Sequence, residues 1–166
     1  MAVLCAKLMP NGGEYVHFGI KHGIDELIGC GELSAEVKCV KLQFNIDGMP
    51  LFKSSGVCIW PILCTVLESS SREPFVVGVF CGVSKQPSMQ AFLNDFVDEC
   101  RDVVATGIVI GDHLLSVELN SFVCDAPARA MIKITSRRIG VTSAVTSAHR
   151  KASGVGKLFT QKPLPP

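Results

Sequence analysis

The chain has 166 residues, enough for one domain with a substantial core, and 48% of them are apolar against 19% charged. No run approaches the ~20 apolar residues that a membrane span needs, and the opening stretch MAVLCAKLMPNGGE lacks a secretory apolar segment, so the chain reads as nuclear or cytoplasmic, not secreted. The net charge of +1 hides an asymmetry: all fifteen acids lie at or before Asp125 with only eight Lys and Arg, a balance of −7, whereas residues 126–166 hold the other eight basic residues and no acid.

In chain order, residues 1–39 read as a mixed, Gly-rich lead-in. Asn11-Gly12-Gly13 is a turn, Glu14–Gly19 a short strand, and Ile24–Ile28 at most a helical turn. His17 and His22, five apart, do not share a helical face and read as structural or surface histidines. The eight cysteines (Cys5, Cys30, Cys39, Cys58, Cys64, Cys81, Cys100, Cys124) read as reduced thiols, several packed as small hydrophobes. None forms Cys-x-x-Cys, which argues against a zinc site.

Over Val40–Leu51, Leu42, Phe44 and Ile46 alternate with Lys41, Gln43 and Asn45, the period-2 pattern of a half-buried strand. Gly48 and Pro50 predict its end just after Asp47. Val57–Leu67 is an apolar run broken by Pro61, read as a strand with a bulge or at a sheet edge, and Phe75–Cys81 is a buried strand. Short connections make these three a meander.

Ser88 is the natural cap of a helix in which Met89, Phe92, Leu93, Phe96, Val97, Cys100, Val103 and Val104 form one apolar stripe, with Gly107 as the stop. Its acids, Asp95, Asp98, Glu99 and Asp102, read as a solvated face. Ile108–Ile110 and Leu114–Leu119 form a hairpin or extended run leading to Val117–Arg129, where a second apolar run ends on Asp125 before Pro127.

The order strand, strand, strand, helix, strand predicts an α/β fold, a partial ribonuclease-H-like one, in which the post-helix strand returns parallel to the first. Asp47 and Asp125 would then share one end of neighbouring strands. Two carboxylates so placed are the minimum for holding a divalent metal; both aspartates could equally cap turns, since Asp-Gly and Asp-x-Pro are common turn chemistry.

Gly12–Gly19 (GGEYVHFG), Asn45–Ser55 (NIDGMPLFKSS), Trp60–Leu63 (WPIL), Pro74–Gly82 (PFVVGVFCG), Phe92–Glu99 (FLNDFVDE) and Phe122–Arg129 (FVCDAPAR) together resemble the transposase domain of eukaryotic cut-and-paste DNA transposons, with CACTA-type transposases as further kin. The resemblance covers residues 10–133. It implies Asp47 and Asp125 as the first two catalytic, metal-holding aspartates, Mg²⁺ as cofactor and DNA at transposon ends as partner. It also implies a third acid from a later helix, and no acid follows Asp125. The expectation is therefore a lead-in (1–39), a partial transposase core (40–133) and a basic, disordered tail (134–166): a truncated transposase fragment inactive alone. A transposase core kept as a DNA- or protein-binding module is the alternative.

Periodicity, acids and resemblance all stop near Met131–Ile134. One reading-frame shift would produce all three changes. A back-translation of Gly140–Lys162 with synonymous codons, read two nucleotides later, gives a Cys-x-x-Cys with a third Cys and restored acids. The tail thus reads as an out-of-frame or mispredicted end, unpacked against the core.

Overall fold

A computed structural model describes residues 6–10, 12–52, 56–83 and 89–124. Their elements are β1 (Lys7–Leu8), β2 (Glu14–His17), α1 (Ile20–Gly29), β3 (Cys39–Ile46), β4 (Met49–Pro50), β5 (Cys58–Val66), β6 (Phe75–Gly82), α2 (Met89–Thr106), β7 (Ile108–Ile110) and β8 (His113–Cys124). The strands form one curled, mixed sheet, a half-barrel in the order β1-β2-β6-β5-β3-β8-β7, with β4 also on β5.

The period-2 pattern of β3 is borne out. Val40, Leu42, Phe44 and Ile46 are buried, while Lys41, Gln43 and Asn45 take the other face. β5 and β6 pair with their neighbours antiparallel, and β8 returns beside β3 in the parallel sense, the only parallel pair among the described strands. α2 lies where its stripe predicts. It ends at Gly107, whose φ of 73° only glycine adopts readily and whose N–H bonds to the Val103 carbonyl at 2.9 Å.

The parallel pair contains one irregularity. Leu42 faces Leu119, but Gln43 faces Ser121, so Asn120 is an extra residue in β8. This bulge switches which residues of β8 face the core: Leu115 and Val117 before it, Phe122 and Cys124 after it. Phe122 thereby stacks on Phe44 (centroids 5.5 Å, 22° between planes), and Phe96 of α2 meets Phe44 edge-on at 4.9 Å. Further along α2, Phe92 packs edge-on against Tyr15 at 5.5 Å and against Phe80. The helix is therefore held by rings from β2, β3, β6 and β8.

The ribonuclease-H-like reading is overturned. The residues read as a lead-in carry two strands and a ten-residue helix, and β2 extends the sheet beyond β6. The sheet also curls. Bulges sharpen twist, and the described strands hold two: Asn120 in β8, and Val77 in β6, where Ile62 faces Gly78 but Leu63 faces Val76. Gly78 and Gly82 leave room for rings instead: a Cβ at the first would meet the Tyr15 ring and one at the second the Phe80 ring. Pro61 is not at an edge, since β5 lies between β3 and β6, and the bulge beside it belongs to β6, whose Val77 is the surplus residue. The expected tail, 134–166, lies outside the described residues.

Phe122→Ala removes the ring stacked on Phe44, and we expect a loss of about 3–5 kcal/mol, the scale of truncating a buried Phe, read from the urea midpoint; deleting Asn120, which leaves Ser121 opposite Gln43 and Phe122 opposite Phe44, should cost far less.

Candidate functional site

Asp47 follows Ile46, the last residue of β3, and is exposed. Ile46 pairs in parallel register with Cys124, the last residue of β8. Asp125 is the next residue in the chain and lies outside the described residues, as does its separation from Asp47. Both strand ends therefore arrive at the same edge of the sheet in step, one residue short of the two aspartates. The bulge is responsible: were Asn120 paired opposite Gln43, Ile46 would meet Val123.

The strand does not end at Asp47 as its Gly-x-Pro context predicts. It resumes as β4, where Met49 faces Ile59 and Pro50 faces Cys58, in the same register by which Ile46 faces Ile62. Asp47 and Gly48 form a two-residue gap in the ladder to β5, set opposite Pro61 and Trp60. Pro61 has no N–H to donate, which accounts for the break.

Gly48 is not the glycine of a turn. It has no positive φ; instead, a Cβ there would come within 2.4 Å of the Trp60 indole. The glycine leaves room for the ring, and the Asp-Gly pair is not explained by turn chemistry. Trp60 is buried, and its Nε1–H meets no acceptor among the described residues. The alternation of the strand puts the indole on the core side with Ile46, and Asp47 on the side of Asn45.

A second polar constellation escaped the sequence reading. Tyr15 Oη lies 2.8 Å from His17 Nδ1, and His17 Nε2 lies 2.9 Å from Glu99 Oε2. A neutral imidazole with its proton on Nε2 satisfies both contacts: the phenol donates to Nδ1, and Nε2–H donates to the carboxylate. Glu99 Oε1 accepts the Ile20 N–H at 2.7 Å and the Lys21 N–H at 3.3 Å, capping α1 from α2, because Gly19 before that helix has no side chain to do so.

The order carboxylate, imidazole, hydroxyl is that of a nucleophile relay. Tyr15 is only 1% exposed, however, and burial with the charges of Asp95 and Glu99 pushes its phenol up, so it is a clasp joining β2, α1 and α2. Burial pushes the Glu99 carboxyl up, but hydrogen bonds from His17 and Ile20, the charge that His17 carries when protonated, and the Lys21 N–H outweigh it and hold Glu99 below its ordinary value. Only long-range pairing distinguishes Glu99 from the acids beside it. No local signal marks it.

Among the described residues no group of three or more His, Cys, Asp or Glu could hold a metal ion, and no helix is long and apolar enough to cross a membrane. Burial pushes the Cys64 and Cys100 thiols up, consistent with inert core cysteines. Comparison with family models, curated proteins and solved structures finds no match for this chain.

Two outcomes are expected. Gly48→Ala should destabilise by about 1–3 kcal/mol through overpacking, with most of the loss recovered on adding Trp60→Leu, as a thermodynamic cycle would show. Because the folded Glu99 carboxyl is held low, its contribution is present above the unfolded value of 4.5 and fades as pH falls through the folded value. Denaturant titrations on the acid side should therefore show a shallower decline in stability for Glu99→Gln than for the native chain.

Proposed function

We propose that the chain is a DNA-transposase core fragment that holds a divalent cation at Asp47 and Asp125 but does not cut or join DNA by itself. The observation that carries this reading is the in-step parallel ending of β3 and β8 at Ile46 and Cys124. The curled fold adds no weight; the strand pair and the motif resemblance do. Two aspartates are hard oxygen donors, and they suit Mg²⁺, which takes one or two carboxylates and keeps several waters. Bound there, Mg²⁺ would supply Lewis-acid polarisation of a phosphoryl oxygen.

The chain's own part is limited to holding. The β3–β8 ladder fixes Ile46 and Cys124, the residues that precede the two aspartates, and the room that Gly48 leaves for Trp60 constrains the residue after the first. No acid among residues 126–166 supplies a third ligand, which leaves an attacking water poorly placed. The alternative, a DNA-binding module, draws on the eight basic residues and absent acids of that same stretch.

Calorimetric titration with Mn²⁺ and a plasmid-nicking assay on the full chain test the proposal together. Weak binding, at least tenfold weaker in Asp47→Asn (about 1.4 kcal/mol), with no nicking, is the expected result. Binding unaffected by Asp47→Asn removes the metal site, and robust metal-dependent nicking shows the chemistry to be complete. DNA retention that needs no metal and falls steeply with salt would favour the binding module.

A further inference from the structure

Among the described residues Phe52 is the one exposed aromatic, with 61% of its surface open to water, and Leu51 and Val83 are exposed with it. Strand pairing brings the three to one rim of the sheet. Pro50 of β4 faces Cys58 of β5, and Cys58 faces Gly82 of β6, so Leu51, Val57 and Val83 form the next row. The Leu51 N–H donates to the Val57 carbonyl at 2.9 Å, and a Cβ on Gly56 would lie 3.6 Å from the Val83 side chain.

The rim continues the strand that carries Asp47. Phe52 follows that aspartate by five residues, at most about 17 Å at strand spacing. Exposed apolar side chains grouped at one place mark an interaction site, whereas single scattered ones do not. Three side chains fall far short of the roughly 800 Å² that each partner gives to a stable protein interface. They suit a small, flat apolar face.

Charge says what else the partner carries. All fifteen acids lie at or before Asp125, yet residues 48–67 and 75–94, which hold β4, β5, β6 and the rim, contain none of them. Lys53 and Lys85 are the only charged residues in the sequence of those two segments. The rim is thus an acid-free window in a stretch that is acidic on balance, and it admits an anion. An anionic chain with flat apolar faces is a nucleic-acid strand whose bases are unpaired. A duplex keeps those faces inside its own stack.

We propose that this rim holds an unpaired DNA strand, one base stacked on Phe52 and its neighbours against Leu51 and Val83, with the backbone leading to Asp47. The inference rests on the reading of the chain as a DNA-transposase core. It narrows the partner to DNA with a single-stranded stretch beside the phosphodiester at Asp47.

The test is fluorescence anisotropy of a labelled short oligothymidylate, and of a duplex of the same length, with the full chain in EDTA at fixed salt. Tighter binding of the single strand is expected, weakened roughly tenfold by Phe52→Ala and restored by Phe52→Trp, the scale of one base stacked on an aromatic ring. Phe52 is exposed, so both variants keep the core intact. Equal binding of strand and duplex, or binding that Phe52→Ala leaves unchanged, is what the basic residues of 126–166 would give by themselves, and overturns the proposal. Self-association in sedimentation that Phe52→Ala abolishes overturns it too, because the occupant is then a second copy. EDTA leaves no ion at Asp47, so the rim can fail while the metal reading stands, and the metal reading can fail while the rim stands.

Discussion

One surplus residue in β8 sets the geometry at the candidate site. Asn120 opposes nothing in β3, so everything after it is displaced by one, and a displacement of one in a strand moves side chains to the other face. The displacement brings Phe122 onto Phe44 and under Phe96, forming the aromatic contact between sheet and α2. The same displacement brings Cys124 level with Ile46. Packing and alignment of the two strand ends thus have a single cause. Buried aromatic pairs are worth about 0.5–1.5 kcal/mol beyond their area, and these rings hold the register against slippage.

Short-range patterns were legible where the cause was short-range. The alternation of Leu42, Phe44 and Ile46, the stripe of α2 and the stop at Gly107 all appear in the structure because each follows from one element's own period or cap. The step from Val117 and Leu119 to Phe122 was also visible in the sequence, but nothing in it named Asn120 as the surplus residue, since that depends on a partner strand more than seventy positions away. The same limit explains the lead-in. Tyr15 and His17 form a strand because β6 pairs with them, and α1 begins where it does because Glu99 accepts its first N–H groups.

At the candidate site the sequence was half legible. The aspartates could be named, and the parallel return of β8 could be argued from strand order, but Asp-Gly suggested a turn where the structure has an interrupted strand. The glycine is fixed by a cross-strand ring, a cause with no local signature. The fold class failed for a related reason: the bulges in β6 and β8 sharpen the twist of the sheet, and curl is a property of several strands together. The transposase reading accordingly rests on two aligned strand ends and on motif resemblance.

The most direct measurement is paramagnetic broadening of backbone amides by Mn²⁺ at low stoichiometry. Broadening falls steeply with distance from the ion, so it locates the ion without relying on activity. The account predicts that the amides of Ile46, Gly48 and Cys124 broaden first, and that Asp47→Asn abolishes this. Broadening centred instead on the exposed acids Asp98 and Asp102 of α2, or on Glu26 and Glu73, with the β3–β8 end unaffected, would contradict it.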